Sequence, residues 1–484
     1  MDFYQSAQRT LRTQDNDMAY TTIEKPSDHF DCPIWTGSDS TTTVNGMGFK
    51  PDALWVKRYD GAGASIFNNS TLGVAKNWKT TDYSGATDTA TYVASYTSDG
   101  FTLTGNKADT NDASNKYFSS CWKAGGTSPT QTYVVKVVSD SGNKYRFDNF
   151  GTSAVAIQLQ EGGVYTFDQA DSSNSGHPLR FSTTANGSHG GGSEYTTGVV
   201  VSGTPGNAGA KTVITVASSA PTLYYYCTAH SGMGGTANTN VTTGSSNFAG
   251  SILSVASPNT TSGFSLVKWV GTGSAGTLGH GLGVAPKIII AKNMSAGNTG
   301  ATLNMSKMFV TDPQTDFMQF AWNNSQLGDG ADRWNDGAPT TSVFSVGGTS
   351  QVNGSSGDCV AYCFAEVQGF SKFGYYTGNG STNGVTIYCG FKPKWIMVKN
   401  ISATEDWAVK VSGLTGYGLG GERTRTTKLG DTDSSSNATV NFESTGFRTT
   451  TTDAKTNGNG VQYFYMAFAE MPTVGTNGTI ALAT

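Results

Sequence analysis

A ten-residue segment occurs three times in this chain, and that recurrence limits the fold more than any other feature. It reads Gly48-Phe49-Lys50-Pro51-Asp52-Ala53-Leu54-Trp55-Val56-Lys57, then Gly283-Val284-Ala285-Pro286-Lys287-Ile288-Ile289-Ile290-Ala291-Lys292, then Gly390-Phe391-Lys392-Pro393-Lys394-Trp395-Ile396-Met397-Val398-Lys399. Each copy places Pro at a strand start, follows it with apolar residues and closes on Lys. Self-similarity of this kind means one supersecondary unit used repeatedly. Pro286 and Pro393 are 107 residues apart and Pro51 and Pro286 are 235 apart, so an extra 128 residues separate the first two copies. The expected organisation is a polar arm (1–32), repeat one (33–127), an insert (128–256), repeat two (257–368) and repeat three (369–484).

Two more motifs share the period. Gly263-Phe264-Ser265-Leu266 matches Gly369-Phe370-Ser371-Lys372, with a shorter form in Ile34-Trp35-Thr36-Gly37. A closing segment appears as Tyr117-Phe118-Ser119-Ser120-Cys121-Trp122, Val360-Ala361-Tyr362-Cys363-Phe364 and Tyr463-Phe464-Tyr465-Met466-Ala467-Phe468. Apolar runs are short, bounded by Gly, Asn, Asp and Ser, and none keeps a helical period. Only 14% of residues are charged, against a usual quarter. The texture is all-β, with each repeat a β-sandwich. In the last closing segment both alternating faces are largely apolar, as in a central strand covered on both sides.

The closing segments also explain cysteines. Cys121, Cys363 and Ala467 occupy one position, so the cysteines there are small core groups rather than ligands or disulfide partners. Cys32, Cys359 and Cys389 read the same way.

Cys227 differs. It ends an aromatic run in Tyr224-Tyr225-Tyr226-Cys227-Thr228-Ala229-His230-Ser231-Gly232-Met233, and another histidine lies upstream in Gly176-His177-Pro178. The chain has five histidines, so two in one such pattern is notable. Two imidazoles, a thiolate and a weak thioether are the donors of a blue-copper site. Residues 132–138, 144–147, 154–160, 164–168, 179–182, 212–216 and 222–227 read as strands of the insert. The insert thus resembles the cupredoxin family. That resemblance implies a cupredoxin-like sandwich with His177, Cys227 and His230 as strong ligands, Met233 as the axial one, and copper as the cofactor. Pro178 stands where that family usually has an Asn that pins the ligand loops. A metal-free sandwich, with the same side chains as packing groups, is the competing reading.

Other chemistry is sparse. A net charge of −4 leaves no basic field for nucleic acid. No apolar run approaches the roughly 18 residues of a membrane span. There is no phosphate loop, nucleophile elbow or zinc-protease helix, so the chain is expected not to be an enzyme. Asp329, Asp332 and Asp336 read as a solvated turn, with a Ca²⁺ loop or a catalytic pair as lesser readings. Trp334 and Trp407 are candidates for stacking on sugar rings. His189 reads as solvated, and His29 and His280 as structural. Residues 1–17 lack the apolar core of a secretory signal, and Met18 could be the natural start.

The three repeat motifs, the stretch from Met18 to Asp28 and the Tyr-Tyr-Cys-x-x-His-Ser-Gly-Met insert together resemble virion structural proteins of marine and cyanobacterial phages. The resemblance covers nearly the whole chain. It implies a tail fibre or appendage that attaches to the host, assembled in the host cytoplasm into the virion. Its partners would be other virion proteins and a host receptor or glycan, and residues 1–32 its anchor. A trimer is expected by analogy. The alternatives are a capsid decoration or head-fibre protein, or a copper electron-transfer protein.

Overall fold

The computed structural model describes residues 21–472 apart from 62, 80–90, 127, 296–301, 305–316, 320–330, 415–424 and 428–439. It is nearly all β. In each repeat the recurrent segment forms a strand (Ala53–Arg58, Ile288–Asn293, Phe391–Asn400) antiparallel to the closing strand (Lys116–Trp122, Asp358–Phe364, Gln462–Pro472). These pairs lie inside sheets of six, seven and five strands. A smaller sheet covers the outer face of each. In the first repeat it is Thr42–Val44, Gly100–Leu103 and Val93–Thr97; in the second, Gly276–Gly279 with Val343–Val346; in the third, Thr386–Tyr388, Gly446–Thr449 and Val440–Glu443.

Period-two alternation divides the side chains of each large sheet between two cores. Leu54, Val56, Ile66 and Cys121 face the first repeat's own sandwich, and Ile289, Ala291, Cys359 and Cys363 face the second's. The opposite faces meet in one shared core. Trp122, Phe364 and Phe468 lie opposite Ala53, Ile288 and Trp395 in their ladders, so they are equivalent positions. Their rings form a near-equilateral triangle with sides of 5.8, 5.9 and 6.0 Å. The three repeats therefore surround a pseudo-three-fold axis, and each sheet buries both faces.

A second equivalence sits at the rim of each sandwich. Asn111, Asn353 and Asn457 are fully buried. Each Oδ1 accepts from the backbone N–H of Ser38, Thr272 or Asn379, at 3.2, 3.0 and 3.0 Å. Each side-chain amide donates to the carbonyl of Ser40, Ser274 or Ser381, at 2.6, 2.7 and 2.8 Å. The residue before each clamped loop is Gly37, Gly271 or Gly378. A Cβ there would come within 2.1, 2.0 or 2.4 Å of a backbone carbonyl oxygen, so only glycine fits.

The arm expected over residues 1–32 needs correction in its described part. Phe30–Asp31 and Ile34–Thr36 together form the outer strand beside Lys116–Trp122. Phe30 stacks on Phe468 at 4.7 Å, and Ile23 is buried in the shared core. A few apolar side chains in a polar stretch are enough to make it part of the axis. Residues 1–20 lie outside the described residues.

The insert is a sandwich of a five-stranded and a four-stranded sheet around its own aromatic core. Two of its strands, Val199–Ser202 and Gly235–Val241, were not anticipated. The first is a short exposed edge, and the second alternates small and polar residues rather than large apolar ones. The seam with the second repeat falls before residue 256, because Ser245–Asn247 and Ser254–Asn259 already belong to that repeat's sheet. Ser246 ties both sides together. Its carbonyl accepts from Tyr133 Oη (2.9 Å) and its hydroxyl from the Gln158 N–H (2.8 Å).

Trp334 and Trp407 are 0% and 1% exposed, so neither can stack on a sugar. Their polar sequence neighbours concealed inward-facing rings. Asp332 pairs with Arg333, while Asp329 lies outside the described residues. His29 and His280 are structural. His29 Nδ1 lies 3.3 Å from Asn259 Nδ2; the fully buried His280 contacts the Thr340 carbonyl through Nε2 and receives the Leu282 N–H at Nδ1. All six cysteines are free and buried. Burial pushes the thiols of Cys359 and Cys389 up to about 12, and those of Cys121 and Cys363 higher still.

Candidate metal centre

Strand register creates the site. Leu179 lies opposite Cys227 where Leu179–Ser182 begins and Leu223–Cys227 ends. His177, two residues before one strand, and His230, three residues after the other, therefore meet at the same sheet end. The loop after Cys227 must turn back at once. Gly232 has φ +72, and a Cβ on Gly234 would lie 1.7 Å from the Tyr225 carbonyl oxygen.

The Cys227 Sγ lies 3.9 Å from His177 Nδ1 and 3.8 Å from His230 Nδ1. The two rings are 4.6 Å apart, tilted by 44°. A thiolate bond of about 2.3 Å and an imidazole bond of about 2.0 Å, opened to about 120°, would separate S and N by about 3.7 Å. The spacing thus suits one ion in a near-trigonal plane, and the donors suit a soft or borderline cation. Cys227 is buried, His177 half-buried and His230 exposed. Among the described residues, no other group of three His, Cys, Asp or Glu side chains is close enough to share an ion. Met233 is 1% exposed and packs in the same core cluster as Cys227. Its carbonyl accepts from the Tyr145 N–H at 3.0 Å.

Side chains absent from the sequence reading hold the two loops. Gln169, itself buried, donates to the His177 carbonyl (2.9 Å) and accepts from the Leu179 N–H (3.1 Å). Tyr145 Oη donates to the same His177 carbonyl at 2.9 Å. Burial pushes that phenol's pKa far up, and Cys227 nearby adds to the shift. Asn186, in a left-handed conformation, accepts from the Gly232 N–H at 2.7 Å and so braces the ligand loop. Asn186-Gly187 in the sequence was a turn signal, but its partner 46 residues away was not legible.

His189 is exposed, as expected, and its Nε2 also lies 3.1 Å from the Cys227 carbonyl oxygen. The short turn Gly187–Gly190 carries it across the site, and Gly187 allows close approach to the Tyr226 ring. Burial lowers the pKa of His177, and the neighbouring His230 lowers it further, which favours the neutral, ligating form.

The pattern of a family described as a domain of unknown function (DUF7483) matches residues 25–147 and 237–472, about three quarters of the chain. No curated protein and no solved structure matches. His177, Cys227, His230 and Met233 all lie in the unmatched interval between the two segments.

Proposed function

The chain belongs to the DUF7483 family, and we propose that it is a non-enzymatic structural protein of a phage particle whose insert binds copper. The observation that carries the metal reading is the Cys227 thiol within 3.9 Å of two imidazole Nδ1 atoms. Bound copper would supply either one-electron exchange or a cross-link between the two ligand loops. The chain's own residues do the rest: Cys227 offers a buried sulfur donor, Gln169 and Asn186 fix the loops, and exposed His230 gives the site an edge to solvent.

The virion reading rests on the repeat motifs and the resemblance they carry. A compact body favours a second placement. Three sandwiches grouped on one core make a knob, which suits capsid decoration as well as the tip of a fibre. Antibody labelling of intact particles in the electron microscope separates tail from capsid. Label on neither would sink the virion reading.

Titration of the full chain with Cu(II), followed by visible absorbance, tests the metal. The expected result is a strong thiolate-to-copper band, absent in Cys227→Ser. A folded chain without that band would leave Cys227, His177 and His230 as packing groups only.

A further inference from the structure

A cleft of about 510 Å³ lies where the first repeat, the insert and the second repeat meet. That volume falls within the roughly 300–1,000 Å³ of small-ligand sites, which favour junctions of this kind. Its wall is dense in neutral hydrogen-bonding groups, including Thr71, Gln158, Asn240, Thr242 and Ser246. The hydroxyls of Thr71 and Thr243, both in the wall, have no hydrogen-bond partner in the protein. Leu72, Val241 and Val255 add apolar patches.

One cation stands out. Lys268 lines the cleft, half-buried, on the strand Phe264–Val270. Alternation places it on the same face as Phe264 and Leu266, which enter the shared core. No carboxylate among the described residues pairs with it. The cleft's acidic group, Asp358, is already paired with Lys76 of the first repeat. An unmatched positive charge therefore faces a cavity whose wall mixes hydroxyls and amides with apolar side chains.

We propose that this cleft binds a saccharide unit carrying a carboxylate, of the uronic-acid kind. Ring hydroxyls both donate and accept, which the neutral wall matches. The C–H face of a pyranose suits the small apolar patches. The carboxylate answers Lys268 through a charge-assisted hydrogen bond. A nucleotide fits less well. The one aromatic in the lining, Trp269, is 2% exposed and gives no stacking face, and no arginine lines the cleft.

The test uses the full chain with oligomers of D-glucuronate and D-galacturonate, the neutral glucose and galactose oligomers, and acetate. Binding is read by saturation-transfer NMR and calorimetry. Acidic oligomers are expected to bind at least tenfold tighter than neutral ones, less so at high salt. Lys268→Gln should erase that preference, and Asn240→Ala, at an exposed position, should weaken both classes. Cys227→Ser should bind as the parent does, since this site is independent of the metal. The proposal falls if no oligomer shows transfer, if acetate displaces as well as a uronate, or if both cleft variants bind unchanged.

Discussion

Asn353 shows how much one buried amide can organise. Its Oδ1 holds the Thr272 N–H, and its Nδ2 serves the carbonyls of Ser274 and Gly347. Unlike its counterparts Asn111 and Asn457, it also accepts from an indole, Trp269 Nε1, at 3.0 Å. Asn353→Leu should cost about 1–3 kcal/mol for each backbone group left without a partner. Urea unfolding should rank it as the most damaging of the three equivalent substitutions. Asn186→Ala removes the brace on the Gly232 N–H, and supports of this kind typically change metal affinity by about 10–100-fold. Competition against a copper chelator should show such a loss while the fold persists. His280 gives a pH dependence. Burial lowers its pKa below 6.5 in the folded chain, so below about pH 6.5 the unfolded chain binds the extra proton and stability falls. The urea midpoint should therefore drop between pH 7.5 and 5.5, and drop less in His280→Gln.

At the scale of strands, equivalence by register separates one cysteine from the others. Cys121 and Cys363 face their own sandwich cores at the position that Ala467 fills in the third repeat. Cys363→Ala should cost about 1 kcal/mol by thermal melt, the loss of one small buried group, and leave the copper band intact. This much was legible in the sequence, because a repeat compares its own positions. The grouping of His177, Cys227 and His230 was legible too, as rare residue types in a telling order whose side chains the fold brings together. Their braces were not. Gln169 and Asn186 act on backbone groups that become neighbours only after the strands pair. The outer strand at Phe30 was missed because Cys32-Pro33 interrupts it, leaving two pieces of two and three residues.

At the scale of the molecule, both faces of each large sheet looked apolar, but sequence alone could not say what covered the second face. Here it is the other two repeats. Phe468→Ala should cost about 3–5 kcal/mol. Calorimetry should show the three repeats losing stability as a single unit, because the triangle of Trp122, Phe364 and Phe468 belongs to all of them. The insert has a separate core, and its transition should stay where it was. The faces a trimer of single repeats would share are already occupied within one chain.

Joining three like units in one polypeptide also changes what mutation can do. In an assembly of identical subunits every substitution is written three times, and any appended domain comes in triplicate. Here each copy is edited alone. The connection between the first two repeats could accept a large domain with its histidines and thiol while that between the second and third stayed short, from Phe364 to Ser371, leaving a single distinguishable direction on an otherwise three-sided body.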